Sequence, residues 1–396
     1  MTKISQDVPI EETPNDEELP DQNSKTETES SQPSPFKAMT KRNIIALLIA
    51  LVAIALIIGL SVGLTRRNQD FTNDASSSEN PNLDTFDMAA ELLDSTPLLS
   101  KDLNSGETMS YREYNVGKPN VLVAIPGFFT DDSMYSILAA LPQFADHHII
   151  AVNPIGWNGS SRNTPIWSHE ENADKVMELL DLMNIESAMA MGYSTGGGIA
   201  FHMAHNYPDI INAAFLIHSI PLHGLKYFTA SGEQTVLNSL EEAEEMLANI
   251  ESPSFEDPVV FNEFFKSMSS NPEGFIPSSH KLNTYFHEAA LGFVGSMEIG
   301  YANMAFNVSP IQTPYSNPSD HLSTLETKVV VIHGIPDTVI PGQIVESVTK
   351  LAIADQWAPA DMLNFYDDGE GHMVLVDKPY VFGEIYRMAL EEKILA

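Results

Sequence analysis

The chain has 396 residues, of which 54 are acidic and 20 are basic, and its net charge is −34 at pH 7. A chain this acidic lacks the basic surface that nucleic acids and anionic lipid heads require, so neither is predicted as a partner. It has no cysteine, which excludes disulfides, thiolate metal sites and a cysteine nucleophile.

Residues 1–42 are predicted to be a disordered acidic tail, because they contain too few apolar residues to offset the entropy of folding. The 22 residues 43–64 carry no charge. As a helix they would span about 33 Å, enough to cross a hydrocarbon core of about 30 Å. They are therefore predicted to be a single transmembrane helix, since a cleaved signal peptide would have a shorter apolar region nearer the N-terminus. Residues 65–82 form a polar linker.

The orientation of this helix follows from small differences in charge. Three basic residues precede the helix and two follow it, which favours a cytosolic N-terminus and a lumenal or extracellular C-terminal part. The two glycosylation sequons, at Asn158 and Asn307, lie only on the C-terminal side and agree with this orientation.

From about Leu83 onward, strand-like and helix-like segments alternate, as is typical of an α/β fold with a mostly parallel sheet flanked by helices. A helix with one apolar face is predicted over residues 171–186. The predicted strands are 108–115, 121–125, 149–152, the apolar run that begins at 188, 213–217, 328–332 and 362–365.

The segment Gly192-Tyr193-Ser194-Thr195-Gly196 has the G-x-S-x-G pattern of a nucleophile elbow. In such a strand-to-helix turn the central residue is strained, and only glycine fits two positions to either side. The pattern predicts Ser194 as the nucleophile and the Thr195 N–H as an oxyanion donor, with Gly192 and Gly196 as the elbow glycines. A plain glycine-rich turn is the alternative.

Three further residues lie just past predicted strands. Phe128 is in a Pro-Gly-Phe-Phe turn, and its N–H is the second predicted oxyanion donor. Asp337 lies in HGIPDTVIP and His372 in DDGEGHM. Alone, each residue type is usually a turn residue, a cap or a solvated side chain. The order Ser194, Asp337, His372 after parallel strands predicts a catalytic triad.

These motifs, together with NPIGWNGSS after strand 149–152, resemble the α/β-hydrolase superfamily, specifically its serine-nucleophile branch with a helical cap. The resemblance covers residues 83–396. It implies a hydrolase core over 83–221 and 323–396 and a cap over 222–322. A serine at the elbow argues against the epoxide-hydrolase and dehalogenase branches, which use a carboxylate nucleophile.

Some positions depart from the family pattern. Pro126 stands where histidine is common in the oxyanion turn, and Asn153 stands where an aspartate usually opens the next loop. The strand before the cap ends in His-Ser-Ile-Pro without a carboxylate, which leaves Asp337 without a rival as the triad acid. We interpret Asp367 and Asp368 as structural, because they are too close in sequence to reach the far ring nitrogen of His372.

Residues 222–322 lack the strand–helix alternation and carry helical patterns at 237–250 and 281–306, so we interpret them as a mostly helical insertion. Several side chains of the second pattern are candidates either for a substrate pocket or for core packing. They are Tyr285, Phe286, Phe293, Tyr301, Met304 and Phe306.

The sequence therefore predicts a serine hydrolase that cleaves a carboxylic ester of an apolar acyl group through an acyl-enzyme, without a cofactor or metal. An amidase or peptidase, a thioesterase, a C–C hydrolase and an acyltransferase remain open, because the same triad serves all of them. A membrane-tethered binding module is the alternative from a different class. Nothing in the sequence predicts the oligomeric state.

Overall fold

The computed structural model describes residues 82–162, 168–220, 257–294, 322–340 and 342–394. The described strands are β1 (Leu99–Asp102), β2 (Thr108–Tyr114), β3 (Asn120–Ile125), β4 (His147–Asn153), β5 (Ala188–Tyr193), β6 (Ile211–Ile217), β7 (Lys328–Ile332) and β8 (Leu363–Tyr366). The described α-helices are α1 (Leu83–Ser95), α2 (Tyr135–Ala139), α3 (His169–Leu182), α4 (Gly196–Asn206), α5 (Pro258–Ser267), α6 (Lys281–Val294), α7 (Gly342–Ala354), α8 (Val374–Asp377) and α9 (Pro379–Ala389).

The strands form one sheet in the order β1-β2-β4-β3-β5-β6-β7-β8. Strand β2 pairs antiparallel with both β1 and β4, and every pairing from β4 across to β8 is parallel. The mostly parallel sheet expected from the sequence is confirmed. Because parallel strands end at the same edge, the loops that follow β3, β5, β6, β7 and β8 meet there.

Both faces of the sheet are covered, and the side chains of the central strands alternate between two apolar cores. In β3, Leu122 and Ala124 pack on the face covered by α1, α2 and α9, whereas Val123 and Ile125 pack on the face covered by α3 and α4. This alternation, with both faces buried, explains why the sequence of each central strand is a continuous apolar run.

Strand β1 and helix α3 differ from the sequence prediction, and helices such as α1, α7 and α9 have no predicted counterpart. Strand β1 was not predicted, since its four residues alternate between partly buried and exposed positions and present no apolar face. Helix α3 begins at His169 and ends at Leu182 instead of covering 171–186. Its start is set by Ser168, whose side chain accepts a hydrogen bond from the Glu171 N–H.

The described part of the insertion contains helices α5 and α6, and residues 222–256 and 295–321 lie outside the described residues. Helix α6 begins at Lys281, where the second helical pattern begins. Among the described residues, no helix is long and apolar enough to cross a membrane. The tail, the predicted span 43–64 and the linker up to residue 81 are not among them.

Candidate active site

Ser194 sits between the end of β5 and the start of α4 in a left-handed backbone conformation, with φ of 53°. Its N–H donates to the carbonyl oxygen of Ile217 at 2.9 Å, which ties the turn to the end of β6. Positive φ is rare outside glycine, and it marks strained residues at functional sites. Thr195 is the N-cap of α4, so its N–H lies at the end of the helix where donors lack intrahelical acceptors.

The two elbow glycines occupy positions where no side chain fits. A Cβ on Gly192 would lie 2.1 Å from the Gly196 carbonyl oxygen. A Cβ on Gly196 would lie 2.3 Å from the carbonyl oxygen of Ile125, at the end of β3. The elbow therefore packs backbone against backbone, both within itself and against the start of the turn that contains Phe128.

The turn that contains Phe128 lies directly against Ser194, because a Cβ on Gly127 would lie 2.7 Å from the Ser194 Cβ. The Gly127 carbonyl accepts hydrogen bonds from the Trp157 indole N–H at 3.1 Å and from the Thr130 hydroxyl at 3.0 Å. The Phe128 ring stacks on the Trp157 ring at 6.1 Å. The structure thus brings both predicted oxyanion residues, Phe128 and Thr195, beside Ser194.

Asn153, which stands where proteins with similar motifs usually have an aspartate, is fully buried at the end of β4. Its Oδ1 accepts from the Asp132 N–H at 2.8 Å, and its Nδ2 donates to the Asp132 carboxylate at 2.5 Å. The amide serves as donor and acceptor at once, so this residue holds the loop after the oxyanion turn in place.

His372 and Asp337 meet at the same edge of the sheet. The Nδ1 of His372 lies 2.8 Å from Oδ2 of Asp337, and both side chains are buried. The Tyr193 hydroxyl donates to the His372 carbonyl at 2.7 Å, which links the histidine loop to the residue before Ser194. Oδ1 of Asp337 accepts the backbone N–H groups of Val339 and Ile340 at 2.9 and 3.0 Å. Asp337 is thereby fixed by its own loop on one oxygen and faces His372 with the other.

Two more histidines, for which the motifs predict no role, face Asp337. His218 Nδ1 lies 2.8 Å and His333 Nε2 lies 3.3 Å from the same Oδ2 that His372 contacts. Burial alone would raise the pKa of Asp337, but His372, His218 and His333 hold it well below its usual range. The carboxylate is therefore ionised at neutral pH.

A signal for these histidines was present in the sequence. His218 and His333 each directly follow a predicted strand, and Ile217 pairs with Ile332 in the sheet, so the two histidines leave neighbouring strands side by side. Their rings stack at 4.8 Å. Polar residues that follow parallel strands gather at one edge, and this rule alone would have placed both beside Asp337.

The donor atoms of His218, His333 and Asp337 lie within 4.8 Å of one another, a spacing that suits a metal ion. However, both ring nitrogens of His218 contact carboxylates and the Nε2 of His333 contacts the Ile340 carbonyl at 2.9 Å. The three residues therefore fit a hydrogen-bonded array better than a metal centre.

A small apolar pocket lies beside the triad. Two of its lining residues, Phe129 and Met373, are the chain neighbours of Phe128 and His372. The described part of the insertion contributes Phe261, Phe265, Phe275, Asn283 and Phe286. Of the six candidate pocket residues, Phe286 thus lines it, whereas the Tyr285 hydroxyl contacts Asp94. The side chains of the other four candidates are outside the described part of the chain.

Comparisons with known proteins agree with this geometry. Residues 120–256 match the family model described as the alpha/beta hydrolase fold. A bifunctional esterase/perhydrolase of Acinetobacter calcoaceticus is 24% identical over 193 residues, which are 47% of this chain and 64% of that protein. Ethanol acetyltransferase 1 of Cyberlindnera jadinii is 20% identical over 147 residues, 37% of this chain and 44% of that protein.

Among solved structures, an esterase from Exiguobacterium antarcticum superimposes with a TM-score of 0.54 at 15% identity, over 74% of this chain and 99% of the esterase. The chain spans less than two thirds of the length of the curated relatives that it matches. These likenesses confirm the α/β-hydrolase fold that the motifs indicated.

Proposed function

We propose that this chain, whose fold is that of the α/β hydrolases, is a serine hydrolase that cleaves a carboxylic ester through an acyl-enzyme intermediate. The observation that carries the proposal is the 2.8 Å contact of His372 Nδ1 with the buried Asp337 carboxylate, beside an elbow whose Ser194 has φ of 53°. A binding protein would have no need to keep a strained serine and an ionised acid in register.

In the proposed cycle, Nε2 of His372 takes the Ser194 hydroxyl proton while Oγ bonds to the ester carbonyl carbon. The N–H groups of Phe128 and Thr195 stabilise the oxyanion. The C–O bond to the leaving alcohol then breaks, and His372 returns the proton to that alcohol. Water, deprotonated by His372, attacks the acyl carbon; the bond from Ser194 Oγ to that carbon breaks, His372 returns the proton to Oγ, and the acid is released. Throughout, Asp337 holds the proton on Nδ1 and thereby keeps Nε2 available.

The pocket supports an ester with an apolar acyl group. Apart from Thr130 and Asn283, its lining residues are phenylalanine, methionine and valine. The Asn283 amide already contacts Asn262 and the Ser278 carbonyl, at 2.9 and 3.3 Å. The pocket therefore offers aromatic and aliphatic contacts and no charged group that would bind an anionic substrate.

Transfer of the acyl group to an alcohol is the second candidate, favoured by the similarity to an ethanol acetyltransferase. Both reactions share the acyl-enzyme and differ only in whether water or an alcohol attacks it. The two reactions are distinguished by the product that forms when ethanol is present.

Residues 43–64 are proposed to anchor the protein in a membrane, with the tail cytosolic and the hydrolase domain lumenal or extracellular. The sequon at Asn158 adds little support, because that side chain is half-buried and donates to Asp131 at 2.9 Å. Asn307 lies outside the described residues. The proposed orientation therefore rests mainly on the basic residues that flank the helix.

The test is turnover of p-nitrophenyl esters of increasing chain length by the full chain and by Ser194→Ala. We expect burst kinetics, a preference for apolar acyl groups, and a loss of at least about 10³-fold in kcat for the variant. A fluorophosphonate should label only the wild type. Ethyl ester as the main product in ethanol would identify the transferase. Equal labelling of both proteins would contradict the mechanism, and a folded wild type without turnover would favour the binding module.

A further inference from the structure

His218 lies between two buried carboxylates at the edge of the sheet. Its Nδ1 is 2.8 Å from Oδ2 of Asp337, and its Nε2 is 2.8 Å from Oδ2 of Asp368. All three side chains have no solvent exposure. The second oxygen of Asp368 accepts the Glu370 N–H at 3.0 Å, so that carboxylate is fixed by its own loop. The result is a continuous array from Asp368 through His218 and Asp337 to His372.

The acceptors in this array determine how many protons it holds. An ionised carboxylate can only accept hydrogen bonds, and His218 contacts a carboxylate with each ring nitrogen. Two donors on one imidazole require the imidazolium. Two buried carboxylates and one imidazolium carry a net charge of −1, the same as Asp337 alone. His218 therefore offsets the charge of Asp368.

The surroundings agree with a charged His218. Burial alone would lower its pKa, but the hydrogen bonds to Asp337 and Asp368 raise it to about 9. The titratable groups that face it are those two carboxylates, His333, stacked at 4.8 Å, and His372, whose ring centroid lies 6.0 Å away. Burial lowers the pKa of His333, which is therefore neutral at pH 7.

We propose that His218 is a positioning residue of the triad, an imidazolium that holds Asp337 from the side opposite its own loop and cancels the charge of Asp368. Without it, Oδ2 of Asp337 would face only His372 and the more distant His333, and the charge of a second buried carboxylate would stand uncompensated near the triad. Additional negative charge favours the imidazolium form of His372, which is unable to take the Ser194 proton. The inference rests on the proposed hydrolase function.

The first test is the pH profile of kcat/KM for the full chain. For His218→Asn we expect the acidic limb of this profile to shift to higher pH by about one unit, because the array loses a positive charge close to His372. We also expect kcat to fall roughly 10- to 100-fold with KM little changed, because Asp337 is held less firmly. In His218→Asn/Asp368→Asn the net charge returns to −1, and the limb should return to within about 0.3 units of the wild type.

The matched control is His147→Gln, which removes another buried histidine that contacts the Tyr386 hydroxyl at 2.9 Å, away from the triad. It should lower stability and leave the acidic limb unchanged. An unchanged limb in His218→Asn, or a shift that persists in the double variant, would overturn the proposal.

A second measurement needs no variant that might misfold. In ¹⁵N-histidine NMR of the wild type at pH 7, His218 should show two protonated ring nitrogens, while His333 is neutral. A neutral His218 would overturn the proposal. These failures differ from a failure of the proposed function, in which Ser194→Ala would hydrolyse esters as fast as the wild type.

Discussion

The backbone conformation that presents the Ser194 hydroxyl is a strained one. With φ of 53°, a residue that has a Cβ is strained, whereas glycine would not be. We therefore expect the free energy of unfolding of Ser194→Gly to be about 1 kcal/mol higher than that of Ser194→Ala. We expect neither variant to hydrolyse esters. Urea denaturation of both variants measures the difference. Equal stabilities would show that the elbow is not strained at this residue.

At the scale of residues, the sequence pointed to the proposed triad, whose members occur in a known order along the chain. It did not point to His218, whose proposed role is to position Asp337. Ser194, Asp337 and His372 stand in recognisable motifs, and the structure brings the second and third into contact. His218 stands in no motif. Its partners lie 119 and 150 residues further along the chain, so only the strand order reveals that they meet.

The elbow as an element depends on close packing between β5 and α4. A Cβ on Gly192 would lie 2.1 and 2.4 Å from two backbone atoms of Gly196 and 2.6 Å from the Cα of Gly197, none of which is free to rotate away. We expect Gly192→Ala to lower the free energy of unfolding by more than about 3 kcal/mol or to prevent folding.

Gly292→Ala in α6 is the matched comparison. Its added Cβ would meet nothing closer than 3.7 Å, and alanine favours a helix interior, so this variant should be about 0.5–1 kcal/mol more stable than the wild type. Thermal unfolding of both variants tests the contrast. A folded Gly192→Ala of wild-type stability would contradict the packing argument.

The central strands and the elbow were predicted from the sequence, whereas several helices, among them α1, α7 and α9, were not. The parallel strands are continuous apolar runs and were all located within a few residues. Strand β1 is short and half-exposed at an edge, so the sequence offered no signal for it. Helix α3 begins at His169, two residues before the predicted start at 171, because its start depends on the Ser168 cap, which apolar periodicity does not detect.

The molecule as a whole is proposed to have a cytosolic tail, one membrane helix and a hydrolase domain on the opposite side. In intact microsomes, trypsin added outside should remove the tail and leave the hydrolase domain undigested, because the bilayer shields the domain. Detergent should then expose the domain, which serves as the control. Digestion of the domain without detergent would contradict the proposed orientation. It would have no bearing on the proposed triad.

For the whole molecule, the sequence predicted the fold class because five motifs spread along 83–396 agree with one another and with the strand order. It was less informative about substrate choice. The described pocket is built from residues as distant as Phe129, Phe286 and Met373. Their convergence depends on how the insertion lies on the core, which no periodicity encodes.

Asn82, the first described residue, has a mechanical consequence for a tethered protein. Its buried amide donates to the carbonyl oxygens of Gly274, in the insertion, and of Asp377, at the end of α8, both at 2.9 Å. A pulling force on the preceding chain would act on these two hydrogen bonds before it acted on the sheet. Since α8 begins two residues after His372, tension on the proposed anchor would be transmitted through the Asp377 carbonyl to the segment that carries this proposed catalytic histidine.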